Sequence, residues 1–141
     1  MGSLARGAIS MKVTWQGDDA MKRTLDRASA NAAKTMAQAL YAEAQVIFAE
    51  SQKQVPWDTG ALAGSGIVHP PTHGGQGAMV EVSRITYGGP AVRYAEEQHE
   101  NLSYRHAPGR KAHYLSDPIA AAMPRLNARV KRNVRALLKG A

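Results

Sequence analysis

Val55-Pro-Trp-Asp-Thr-Gly-Ala-Leu62 marks the point where a helical pattern stops and an extended one begins. Two readings compete for it. As chemistry, Asp58-Thr59-Gly60-Ala61 behind an apolar residue carries the signature of an aspartic protease. As architecture it is a corner. Pro56 has no amide donor and pushes Val55 out of the helical region. Asp58 and Thr59 offer oxygens to backbone amides a few residues on, Gly60 lets the chain turn, and Leu62 enters a sheet. Proteolysis at such a site needs two carboxylates sharing one proton, hence a homodimer for a single copy. Enzymes of that kind are almost wholly β, whereas here a long helical pattern runs straight into the motif. The corner reading prevails: Pro56, Asp58, Thr59, Gly60 and Leu62 are structural, and no enzymatic role is expected.

Upstream, Lys12-Val-Thr-Trp15 reads as a short strand ending at Gln16-Gly17, with Asp18 or Asp19 as the cap of a helix. From there to about Lys53 no Gly or Pro intervenes. Met21, Leu25, Ala28, Ala32, Met36, Leu40 and Ile47 recur at helical steps. A single helix of roughly 36 residues, about 54 Å long, is predicted. Residues 1–10 read as a flexible N-terminal arm or an expression remnant, and residues 11–141 as one domain.

Downstream, Leu62 to His69 is glycine-punctuated and extended in character, and Pro70-Pro-Thr-His-Gly-Gly-Gln-Gly77 is a loop. Ala78 to Tyr87 alternates as a strand with Val80, Val82 and Ile85 toward the core, and Gly88-Gly-Pro90 turns the chain. Ala91 to Ala95 reads as the next antiparallel strand, and Glu96 to His113 as an irregular segment rich in His and Arg. Ser116-Asp-Pro118 starts a last helix, with Ile119, Met123, Leu126, Val130, Val134 and Leu137 as its apolar stripe and a kink at Pro124. The fold class is therefore α+β, a long N-terminal and a kinked C-terminal helix packed on a small, mostly antiparallel sheet.

The 141 residues suffice for one core. With no cysteine, disulfides and thiol chemistry are excluded. No run approaches the ~20 apolar residues of a membrane span, and residues 1–10 are not a secretory signal. The net charge is +7, and after Asp117 the chain carries Arg125, Arg129, Lys131, Arg132, Arg135 and Lys139 with no acidic residue. Arg125, Arg129, Arg132, Arg135 and Lys139 are candidates for contact with phosphate or with an acidic partner; the simplest alternative is a solvated face.

His99, His106 and His113 fall seven apart beside Glu96, Glu97 and Glu100. Nothing in that spacing makes them converge on a metal, and the second His of the helical zinc motif is missing. Together with Tyr94, Tyr104 and the nearby arginines they suit a protein interface, with Tyr94, Gln98, His99, Glu100, Tyr104 and His106 as its candidate residues. Gly74-Gly-Gln-Gly77 lacks the Lys-Ser/Thr of a phosphate cradle. No cofactor is expected.

The order of parts is similar to the neck or tail-completion (minor tail) proteins of long-tailed bacteriophages. The likeness rests on Val55-Pro-x-Asp-Thr-Gly-x-Leu62 with Ser65 after a long helix, then Tyr94-Ala95, Gln98-His99-Glu100, Gly109-Arg-Lys-Ala-x-Tyr-Leu115 and Pro118. It covers roughly residues 12–125; Ala63, Gly66 and the basic tail depart from it. The resemblance implies a non-catalytic structural protein of the virion, made in the bacterial host cytoplasm. It forms a homo-oligomeric ring, six-fold, in the connector between the DNA-filled head and the tail. Its implied partners are itself, the head-completion or stopper protein, and the tail terminator or tail tube proteins. The competing expectation is non-specific contact with DNA through the basic last helix. No membrane contact is expected.

Overall fold

The computed structural model describes residues 8–56, 60–73, 79–89, 94–100 and 110–140. The elements are β1 (Ile9–Gln16), α1 (Asp19–Arg27), α2 (Ala32–Gln54), α3 (Ala61–Gly64), β2 (Ile67–Val68), β3 (Thr72–His73), β4 (Val80–Tyr87), α4 (Ala95–Glu100) and α5 (Ser116–Lys139). β4 is the hub of a four-stranded antiparallel sheet: β1 runs along one side of it, and the short β2 and β3 share the other. α2 and α5 pack against each other and cover one face of the sheet. This is the α+β class expected, a small antiparallel sheet under helices.

The N-terminal helix is two helices. Asp18 caps α1 by accepting from the Met21 amide at 2.8 Å. α1 then ends at Ser29, whose φ of 51° is left-handed. The Ala30 amide reaches back to the Leu25 carbonyl and the Ser29 amide to Asp26, a helix-ending pattern normally signalled by glycine. Asn31 caps α2 by accepting from the Lys34 amide at 3.1 Å. The uninterrupted helix fails because the stop is written in serine and asparagine. Splitting it keeps the length within the domain: Met21 and Leu25 return to the same core as Met36, Leu40, Ala44 and Ile47.

β1 begins at Ile9, paired with Tyr87 and nearly buried, so the expected boundary after residue 10 cuts into the sheet. Along β1 the inward residues are Ile9, Met11, Val13 and Trp15, opposite Tyr87, Ile85, Ser83 and Glu81. The inward face of β4 is therefore Glu81, Ser83, Ile85 and Tyr87. Ile85 was expected there; Val80 and Val82 were too, and they point outward. The polar pair is accepted inside because each finds a partner. The Ser83 hydroxyl donates to the His69 carbonyl at 3.1 Å, and Glu81 Oε1 meets His73 Nδ1 at 2.9 Å. Burying either group unpaired would cost several kcal/mol, roughly.

Gly60 does turn the chain, with a left-handed φ of 83°. Leu62 then enters the helical turn α3, not a strand, and Val68 is the first inward residue of the sheet on this side. Asp58 and Thr59 lie outside the described residues. α4 replaces part of the irregular segment: Ala95 opens a helix where the end of a strand was predicted.

α5 runs unbroken from Ser116 to Lys139 with Pro124 inside it, on its exposed side. The Ala120 carbonyl there has no proline amide to accept from. Its buried stripe is Pro118, Ile119, Leu126, Val130 and Val134. Val130 and Val134, both fully enclosed, each contribute about 1.5–3 kcal/mol of burial. Met123 and Leu137, expected in the stripe, are 45% and 37% exposed.

Candidate interaction surfaces

The corner is closed from a distance. Arg110 Nη1 donates to the carbonyls of Gln52 at 2.7 Å and Val55 at 3.3 Å, while the Lys111 amide donates to the Gln54 carbonyl at 2.9 Å. A cation thus sits at the negative end of α2 and satisfies carbonyls that the helix leaves open. Gln52 Nε2 donates to the Ala63 carbonyl, and Ser65 Oγ accepts from the Gly88 amide at 2.8 Å. Gln52, Gln54, Val55 and Ser65 are thus held by hydrogen bonds to residues far along the chain. Pro56 follows directly on these bonded carbonyls, and Gly60 supplies the left-handed turn before α3.

A row of rings crosses the interior next to it. Phe48 stacks on Tyr87, Tyr87 meets Tyr114 edge-on, Tyr114 meets His99, and His99 lies beside His113. Tyr87 OH is held by Ser51 Oγ at 2.8 Å and Gln52 Nε2 at 3.1 Å; Tyr114 OH donates to the Ala95 carbonyl at 2.7 Å. Burial pushes both phenols above their usual range. His99 was expected at an outer interface, and it is 2% exposed. Its Nε2 accepts from the Ser116 amide at 3.2 Å, which leaves the proton on Nδ1 to be donated to Glu100 at 2.8 Å. His99 is therefore an internal cap for α5. Burial lowers its basicity, with Glu100 opposing the shift. Tyr94 and Glu100 are exposed and Gln98 is half-buried, so these three remain for an interface. Tyr104 and His106 lie outside the described residues.

The basic helix divides the same way. Arg129 pairs with Glu43, a carboxylate 5% exposed at the α2–α5 seam. Asn133 donates to the other Glu43 oxygen at 3.2 Å and to the Ala39 carbonyl at 3.1 Å. Arg129 is thus an internal ion pair, not a free phosphate contact. Lys131 pairs with Asp18 at the α1 cap, which holds that carboxyl below its ordinary value. Arg125, Arg132, Arg135 and Lys139 are exposed, without an ion-pair partner among the described residues.

A second basic surface lies on the outer face of the sheet, and sequence reasoning missed it. Lys12 on β1 stands directly opposite Arg84 on β4. They form the floor of a cleft of about 580 Å³ that is also lined by His69, Thr72, Val82 and Thr86. His69 Nε2 and Thr86 Oγ1 are 3.0 Å apart. An inward Ile85 turns Arg84 outward, but its place beside Lys12 is set by the strand register, which the sequence does not show.

Among the described residues no group of three His, Asp or Glu side chains gathers for a metal ion, and no helix is long and apolar enough to cross a membrane. Compared with known protein families, curated proteins and solved structures, the chain has no significant match.

Proposed function

We propose that the protein is a structural subunit of the neck of a long-tailed bacteriophage, a homo-oligomeric ring that joins the DNA-filled head to the tail by protein contacts. The observation that carries this reading is the clasp between residues 52–55 and 110–111. It ties residues beside two of the blocks that carry the resemblance, 55–62 and 109–115, to each other through Arg110 and Lys111. Arg110 is used on backbone carbonyls, a task of shape and not of reaction. The exposed apolar side chains Val46 on α2, Met123 and Leu137 on α5, and Tyr94 before α4 supply material for contacts between subunits. Unlike patches meeting head to tail close into rings when the rotation allows.

Cross-linking mass spectrometry on purified particles, with electron microscopy of the neck, tests this. Links between copies through α2 and α5, and density at the head–tail junction, are expected. A chain that is monomeric within the particle overturns the reading.

A second reading has its own support in Arg125, Arg132, Arg135 and Lys139, four cations without an ion-pair partner among the described residues. On it, α5 grips DNA without sequence preference. Filter binding across a salt series separates the two, since phosphate contacts release counterions and affinity then falls steeply with salt. A flat or absent response removes the second reading.

A further inference from the structure

We propose that the outer face of the sheet, centred on Lys12 and Arg84, is a docking site for an extended, carboxylate-bearing segment of another protein. The two residues are register partners across the β1–β4 pair, so their Cα atoms are about 5 Å apart and their side chains share one face. Like charges directly opposite each other destabilise a sheet. Neither cation has an ion-pair or hydrogen-bond partner among the described residues. The outward residues of β1 and β4 are Ser10, Lys12, Thr14 and Gln16 with Val80, Val82, Arg84 and Thr86, and none is acidic. The one carboxylate of β4, Glu81, points inward to His73. The face thus keeps two adjacent positive charges that nothing in the described fold neutralises.

The chemistry around them selects a polypeptide. A guanidinium beside an ammonium takes a carboxylate in a fork of hydrogen bonds. The hydroxyls of Thr72 and Thr86 and the His69 ring line the same cleft, alongside the apolar Val82 and Pro70. Ile67, opposite Thr86, is 53% exposed at its margin. A single nucleic-acid strand would want aromatic platforms for its bases, and among the described residues the lining has no Phe, Tyr or Trp. A duplex would want a row of cations along its phosphates, and here two cations are flanked by apolar groups. A second copy fits poorly, because each copy carries +7. Its helix α4 is anchored through Ala95 and His99, so Glu100 is presented from a helix and not from an extended segment. This inference stands apart from ring assembly, since it is read on the single chain.

The test is a titration of the full ¹⁵N-labelled chain with an acetylated, amidated peptide of alternating Glu and Thr, followed by NMR. Shifts are expected at Lys12, Val82, Arg84 and Thr86. At least tenfold weaker binding is expected in the K12Q/R84Q double variant, and unchanged binding in R132Q/R135Q. Equal affinity in K12Q/R84Q, or shifts confined to α5, overturns the proposal. Tighter binding of a twelve-nucleotide single strand or of a short duplex at Lys12 and Arg84 overturns it in favour of nucleic acid. Sedimentation velocity without peptide supplies the last arm: self-association abolished by K12Q/R84Q overturns it in favour of a second copy. Neither double variant should melt below the parent, which keeps a folding defect from imitating lost binding.

Discussion

Arg129 on α5 and Arg84 on β4 are both partly buried arginines, yet one lies against a carboxylate and the other against a lysine. Arg129 comes from the most basic stretch of the chain and is spent inside it, with Asn133 one turn on completing the grip on Glu43. Arg84 comes from a strand of ordinary composition and is left unanswered. The contrast teaches that charge density along a chain does not locate available charge. Availability is set by what the opposing element offers, and for Arg129 that is a carboxylate at position 43 of another helix.

The comparison breaks most sharply at Glu43. Arg129→Met leaves a nearly buried carboxylate with Asn133 alone, and should cost about 2–4 kcal/mol in urea melts; solvent reaching the half-exposed arginine site keeps the loss from being larger. R129M/E43M should recover most of it, since a well-packed apolar pair replaces the ions. If R129M is neutral, Arg129 belongs with the free cations and the contrast fails.

Tyr87→Phe probes the inward side of the same strand that carries Arg84. Ser51 Oγ and Gln52 Nε2 lose their common partner, and a loss of about 1–1.5 kcal/mol is expected in the same melts. A weaker and pH-dependent effect belongs to His99. Its folded-state basicity is lowered by burial, so the unfolded chain takes up the proton first, near 6.5. Stability from this group is complete above that value and is lost as pH falls through the lower folded value. A single proton limits the slope to about 1.4 kcal/mol per pH unit. Thermal midpoints from pH 7.5 to 5 should fall less in His99→Gln than in the parent, once both are referred to their pH 7.5 values.

Smallest, and opposite in sign, is Lys12→Gln. Removing one of two facing cations should stabilise the free protein by about 0.2–0.5 kcal/mol. A destabilised K12Q would mean that Lys12 is already answered, and would erase the distinction from Arg129.

What the sequence made legible follows from local rules. The Asp18 cap, the alternation of β4, the left-handed Gly60 and the stripe of Ile119, Leu126, Val130 and Val134 all rest on neighbours within a few residues. The misreadings share a different cause. Ser29 and Asn31 end and restart a helix without the usual glycine. Glu81 and Ser83 displace Val80 and Val82 from the core because His73 on β3 and the His69 carbonyl just after β2 wait for them. His99 is internal because Ser116 needs an acceptor. For Glu81, Ser83 and His99 the deciding partner comes from elsewhere in the chain, for Ser29 and Asn31 it is a local backbone bond, and hydrophobic periodicity sees neither. The surfaces fared similarly: four of the five basic-helix candidates are exposed, while Lys12 and Arg84 became visible only once the strand register was known.

The clasp on α2 also sets an order in time. Arg110 reaches Gln52 across 58 positions, and Arg129 reaches Glu43 across 86. At roughly 5–20 residues per second of synthesis, Glu43 waits on the order of 4–17 s for its arginine. During that interval α2 has neither its C-terminal cation nor its seam partner, and its apolar stripe faces whatever is nearby. This core is therefore completed only when α5 has left the ribosome, and a chain halted before residue 110 lacks the cation that clasps α2.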